Sequence, residues 1–488
     1  MSLRGTTLVA ALAAALVLVT GAGAGSQPPK ALELTSPSAV DSYLRSIGVD
    51  PATVVRQVGL RNYAGPKCPG ARWNCTKSTR VVQVSLPGGV NKFLCDGQDP
   101  LNPGTNPDAS TCVILQDGSD NNARCQEQGT GEPAESQRCV IQQQGDRNSA
   151  IVDQLIEQRT GPNQDAIQIA QVDQTATEKN ESEVHQDVKQ DTETGEPEPE
   201  DTSTQNQNVH QVALVNQSAS GSDNLSQVHQ NQDLSESGAA TTQNQNVAGL
   251  PSGVDDCDQA HKPGSNPNAC ANVVQSITDP AGGKNESHVN QSINEREETT
   301  ASPATQTQEQ ADTGIEAHVD QSNPPGVGMN LKVAYQDARQ SAEGGTTQIQ
   351  TIDPNCCGSA TSIGGANNMD DYHQSAVQSA SFGELASQRL EITGDTSHFQ
   401  TPPGLLGVQP TEAVTDVCRI SHDAMNNEAS THFTITFDPC TGTHVVHTEC
   451  AITTAGPEVC TPPPGGACPC AAPPPEPPPT YSRLFRRF

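Results

Sequence analysis

Sixteen cysteines carry most of the chemistry available to this 488-residue chain. An even count suits disulfides closed in an oxidising compartment. Two cysteine-bounded segments resemble each other: CDGQDPLNPGTNPDASTC, Cys95 to Cys112, and CDQAHKPGSNPNAC, Cys257 to Cys270. Each opens on Cys-Asp and passes through Pro-Gly-[Thr/Ser]-Asn-Pro, where Pro and Gly make turns. Both are expected to be surface loops stapled by Cys95–Cys112 and Cys257–Cys270, each closure contributing roughly 3 kcal/mol. Metal binding is the rival reading, but these spacings lack the close cysteine pairs of zinc sites. Adjacent Cys356 and Cys357 read as ends of two separate bridges rather than a redox pair. His432, His444 and His447 lie together in the sequence, yet His444 and His447 would point to opposite faces of a strand and share no metal.

Nothing else has the pattern of a catalytic site. The chain has no G-x-S-x-G, no H-E-x-x-H and no phosphate-binding glycine loop. Carboxylates are so numerous that a close pair carries no information about glycosidase chemistry. The expectation is therefore no enzyme, no cofactor and no metal. Asp and Glu total 57 against 26 Lys and Arg, a formal charge of −31. Such a chain repels nucleic acid and anionic membranes. Only 33% of residues are hydrophobic and 3% aromatic, too little for an ordinary core.

The first residues read as an export signal over 1–24: Arg4, an apolar run from Leu8 to Val19, then Ala22-Gly23-Ala24. That run is too short to span a bilayer, and no later stretch could, so no transmembrane segment is expected. The expected location is secreted, extracellular or at the cell surface.

The elements that must position these residues show themselves as a repeat. CVILQDGSDNNARC, from Cys112, and CVIQQQGDRNSAIVDQ, from Cys139, match at Gln116, Gly118, Asn121 and Ala123 and at Gln143, Gly145, Asn148 and Ala150. The unit recurs. Gly221 precedes Asn224, Ser226, Val228 and Gln230; Gly282 precedes Asn285, Ser287, Val289 and Gln291; Gly365 precedes Asn368, Asp370, Tyr372 and Gln374. A copy without the glycine runs Asn180, Ser182, Val184, Gln186; looser ones run Asp165, Ile167, Ile169, Gln171 and Asn330, Lys332, Ala334, Gln336. Residues two apart share one face of a strand but not of a helix. The glycine allows positive φ and a tight turn into that strand. A face of Asn, Ser, Val and Gln is too polar to bury alone, since an unpaired amide costs about 1–3 kcal/mol. Stacking copies about 4.8 Å apart lets each amide bond its neighbours above and below. The expected fold is all-β, a β-solenoid-like stack of Asn/Gln ladders. Its ladder residues are Gln116, Asn121, Gln143, Asn148, Gln154, Asn180, Gln186, Asn224, Gln230, Asn285, Gln291, Asn368 and Gln374.

This pattern resembles the curlin-repeat family, the subunits of curli fibres, whose unit is S-x₅-Q-x-G-x₂-N-x-A-x₃-Q. Gln143, Gly145, Asn148, Ala150 and Gln154 match its Q, G, N, A and final Q, while Gln137 stands at its Ser. Later copies carry Ala219, Pro280 and Ile363 two places before the glycine, where the family has Gln, and acidic insertions separate them. The resemblance implies a secreted structural protein that self-assembles into surface or matrix fibres for adhesion, with copies of itself and cell-surface or matrix components as partners. The alternative is a monomeric secreted binding module using acidic loops for Ca²⁺ or a basic partner.

Around the repeats the sequence divides further. Residues 25–64 read as a short helical pair, one helix ending at Gly48 and a second opening at Asp50-Pro51. Residues 65–111 form a Cys-rich β segment, 112–400 the repeat region with disordered acidic stretches such as Asp191 to Asn208, and 401–460 a small β module. Its strands are Thr431–Phe437 and Thr443–Ile452, with Cys418, Cys440, Cys450 and Cys460 pairing among themselves. A Pro-rich linker and a basic aromatic tail fill 461–488.

Overall fold

The computed structural model describes residues 34–64, 80–94, 110–130, 134–159, 163–193, 204–221, 223–238, 242–245, 269–299, 307–343, 347–381, 385–398, 419–422, 427–438, 443–452 and 459–461. The expected export signal, Cys95, Cys257, most of the acidic stretch 191–208, residues 401–418 and the tail 462–488 lie outside them. The described chain is all-β apart from its start.

Helix α1 (Pro37–Ser46) opens where Ser36 caps the amide of Ala39 at 3.4 Å with Pro37 in the first turn, and the chain leaves it through Gly48 at φ +77°. The second expected helix does not form. Asp50 caps a single 3₁₀ turn, Pro51–Thr53, and strand β1 (Val55–Ala64) starts at once. A strand wins here because Val54, Val55 and Val58 are β-branched and the segment has a parallel partner in register, Val55 on Val81 through Ala64 on Phe93. The repeat therefore begins at residue 55, not at 112.

The strands that follow are β2 (Arg80–Leu94), β3 (Ser110–Asp117), β4 (Asp120–Thr130), β5 (Ala134–Gln158), β6 (Asn163–Glu193), β7 (Thr204–Ala219), β8 (Asp223–Gly238), β9 (Thr242–Gln245), β10 (Ala269–Ile277), β11 (Lys284–Thr299), β12 (Thr307–Glu343) and β13 (Thr347–Ser381). They pair in parallel as two stacks. One stack sets Gln83, Gln116, Gln143, Gln174, Gln217, Gln275 and Gln321 above one another through β2, β3, β5, β6, β7, β10 and β12. The other sets Asn91, Asn121, Asn148, Asn180, Asn224, Asn285 and Asn330 above one another through β2, β4, β5, β6, β8, β11 and β12. Each rung thus has a first arm ending near its Gln, a turn, and a second arm starting at its Asn. β14 (Leu385–His398) still pairs in parallel with β13, but β15 (Arg419–His422), β16 (Asn427–Asp438), β17 (Thr443–Ile452) and β18 (Val459–Thr461) pair antiparallel. β16 lies antiparallel to both β13 and β17, so the strands expected at 431–437 and 443–452 join the same sheet as the repeats.

The interior between the arms is a narrow apolar column. Rungs that place Ala170, Ala213 or Ala271 on the first arm place Val184, Val228 or Val289 on the second, while Ile114 and Ile141 accompany Ala123 and Ala150. A small residue in each rung accompanies a larger one, which keeps the width constant. The continuous apolar runs at 112–115 and 139–141 have a separate cause. Val113, Leu115 and Val140 point outward and are covered by Val40 and Leu44 of α1. These strands are buried on both faces, so their alternation disappears.

Candidate functional site: buried amide rows and a cysteine cluster

The side chains brought together most consistently are the amides. Asn62, Asn91, Asn121, Asn148, Asn180, Asn224, Asn285 and Asn330 are all buried. Each of the first seven donates from Nδ2 to Oδ1 of the next along the chain at 2.8–2.9 Å. The second Nδ2 hydrogen is also used: Asn121 bonds the Gln144 carbonyl at 2.7 Å, Asn148 that of Thr175 at 2.9 Å and Asn285 that of Ser322 at 2.8 Å. The row therefore ties the turn of one rung to the next rung as well as amide to amide. Backbone register carries it one step further, placing Asn368 beside Asn330.

The glutamines run the other way. Gln83 donates to Gln57, Gln116 to Gln83, Gln143 to Gln116, Gln174 to Gln143, Gln217 to Gln174, Gln275 to Gln217 and Gln321 to Gln275, all at 2.7–2.9 Å. Their remaining hydrogens reach across the turn to the second arm of the same rung, as from Gln143 to the Ser149 carbonyl at 2.8 Å. A further row starts at a carboxylate: Gln154 donates to Glu127, then Gln186 to Gln154, Gln230 to Gln186, Gln291 to Gln230, Gln336 to Gln291 and Gln374 to Gln336, at 2.7–2.9 Å. Glu127 suits that place. The Gln rows point their N–H groups toward the N-terminal end, and an acceptor-only carboxylate ends such a row with nothing unpaired. Because the Asn and Gln rows are directed oppositely, their dipoles offset each other.

Thirteen ladder positions were named from sequence, and the rows also include Asn62, Asn91, Gln57, Gln83, Gln174, Gln217, Gln275, Gln321 and Asn330. Gln57 keeps the regular spacing, two residues before Gly59 and five before Asn62, whereas the other missed glutamines vary in their distance from Asn. Gln lies five residues before Asn at Gln143–Asn148, seven at Gln217–Asn224 and ten at Gln275–Asn285. Counting a fixed distance back from glycine therefore lands on Ala219, at the end of β7, and on Pro280, in a lengthened turn. The first Gln row stops at Gln321, whose Oε1 is buried without a hydrogen-bond partner; β13 places Ser362 next in register.

The turn glycines act differently from expectation. Of the five, Gly282 has positive φ, at +74°. Gly118, Gly145 and Gly221 are needed for space instead. A Cβ on Gly145 would stand 1.8 Å from the Gly118 carbonyl oxygen, and on Gly221 2.0 Å from that of Thr177. Turns stack on turns at strand spacing, and only glycine leaves room. Gly365 falls opposite Pro325 in the backbone register.

Cysteine placement also departs from expectation. Cys112 does not close a staple: its thiol is free, buried, and lies on the inward side of β3 in register with Cys139. Its sulfur joins those of Cys125 and Cys139, all within 4.8 Å of one another. Hydrogen bonds from Cys125 and Cys139 hold the Cys112 thiol down to about 5, while burial pushes the Cys125 and Cys139 thiols well up. Sequence reasoning missed this trio because it paired Cys112 along the chain rather than up the stack. Cys270 is disulfide-bonded; Cys257, its expected partner, lies outside the described residues.

On the outer surface of the second arm a histidine pair stacks. The His185 and His229 rings lie 4.7 Å apart and 3° from parallel. Burial and then the charge of His185 lower His229 to about 4. Burial also works against the charge on His185, yet its 2.7 Å contact with Glu183 raises it overall. Among the described residues no helix is long and apolar enough to cross a membrane. No family model, curated protein or solved structure matches the chain.

Proposed function

We propose that this chain is a secreted structural protein, a β-solenoid whose Asn/Gln ladders build surface or extracellular-matrix fibres for adhesion. The observation that carries the reading is the uninterrupted row of buried asparagines from Asn62 to Asn330, each amide bonded to the next. Such a row does no chemistry on a substrate. It makes each rung a template for the next, so stability accumulates along the stack. The curlin-like unit at Gln143–Gln154 and the export signal at 1–24 support the same role.

The test uses the mature protein, purified and concentrated. Electron microscopy should show fibres, and aligned samples should diffract at about 4.8 Å along the fibre axis. A monomer in sedimentation at every concentration, with no fibres on grids, would remove the assembly; a coil-type circular dichroism spectrum would remove the solenoid with it.

A further inference from the structure

We propose that Cys112, Cys125 and Cys139 form a three-sulfur site for cuprous ion in the interior of the stack. The three thiols come from three strands. Cys112 and Cys139 are register partners on consecutive first arms, and Cys125 belongs to the second arm of the Cys112 rung. All three are buried, and their sulfurs lie within 4.8 Å of one another. Sulfurs bound to one ion at about 2.3 Å stand close to 4 Å apart, so small side-chain rotations suffice.

The surroundings select the ion. The neighbours are apolar: Ile114, Ala123, Ile141 and Val152 share the cluster with the thiols. Among the described residues no His, Asp, Glu or fourth Cys joins the trio at ligand distance. Glu127 sits two residues beyond Cys125, and its Oε2 accepts a hydrogen bond from Gln154 at 2.9 Å. Zinc in structural sites takes four ligands, and this dry interior supplies three. Soft thiolates select Cu(I). Binding forms three Cu–S bonds and releases a proton to solvent for every thiol that ionises; copper stays Cu(I), so no oxidant or reductant is consumed. Affinity therefore rises with pH.

The stack supplies a matched control. Later rungs place Ala170 and Val184 where these carry cysteine: Cys139 is in register with Ala170, and Cys125 with Val152, itself above Val184. The combined variant Cys112→Ala, Cys125→Val, Cys139→Ala copies that composition and should keep the β circular dichroism of the parent. Full-length mature protein, prepared without reductant and handled anaerobically, is titrated with Cu(I) against a chromophoric Cu(I) chelator. The parent should bind one more equivalent than the variant, its X-ray absorption should report three sulfur neighbours for that copper, and its melting temperature alone should rise with copper. Equal stoichiometry in parent and variant overturns the site. So does a peptide map placing any of the three cysteines in a disulfide, or a copper shell containing nitrogen or oxygen.

Discussion

A side-chain amide carries two donors and an acceptor, and Asn148 uses them all. It accepts from Asn121 and donates to Asn180 and to the Thr175 carbonyl, at 2.8, 2.9 and 2.9 Å. Asn148→Ala leaves an Asn121 Nδ2 hydrogen and the Asn180 Oδ1 without these partners in a buried setting. It should cost about 1–3 kcal/mol in urea unfolding; a loss no larger than that of an exposed control such as Arg147→Ala would mean the row is not buried. Gly145→Ala drives a methyl into the Gly118 carbonyl, which is backbone and cannot swing away. That overpacking should cost about 1–3 kcal/mol by the same measurement. Titration of His229 gives a third expectation. Its folded value is about 4 against an ordinary 6.5, so between those limits the unfolded chain binds the proton and the folded chain does not. Stability from this residue is complete above about 6.5 and falls as pH drops toward 4. His185, raised instead, contributes in the opposite sense, and that contribution is lost as pH rises through its folded value. Melting temperatures across this range should fall less steeply toward acid for His229→Gln than for the parent; identical slopes would sink the assignment.

At the scale of the element, the unit is the rung rather than the strand. A rung keeps its Gln and Asn in register with its neighbours while its turn and its exit loop vary freely, since lengthening a surface loop costs little. Residues 163–193 make up one rung, holding Gln174, Asn180 and Gln186, and 194–203 connect it to β7. Deleting them brings Gln217 under Gln143, Asn224 under Asn148 and Gln230 under Gln154. The shortened chain should fold with a β spectrum and a modestly lower melting temperature. Deleting 179–203 alone removes a second arm without its first, breaks the alternation of the stacks, and should cost far more. Equal losses from the two deletions would argue against the rung as the cooperative unit.

At the scale of the whole molecule, the proposed assembly of copies is opposed by charge. The formal charge of −31 makes copies repel, and salt screens that repulsion with a Debye length of about 10 Å at 0.1 M. Assembly followed by light scattering should therefore quicken as salt rises from low ionic strength; indifference to salt would place the barrier elsewhere. All-β character and the shared face of Asn, Val and Gln were written locally, in offsets of two. Those features follow from strand geometry, which acts over a few residues. Tertiary structure alone decided the rest: that Gln217, Gln275 and Gln321 continue the row of Gln143, that Gly145 serves a crowded turn rather than a positive φ, that residues 55–64 pair as a strand, and that Cys112 faces Cys125 and Cys139. Each of these depends on which residues share a height in the stack. Height is set by strand pairing between rungs, and because the turn lengths vary from rung to rung a linear spacing does not record it.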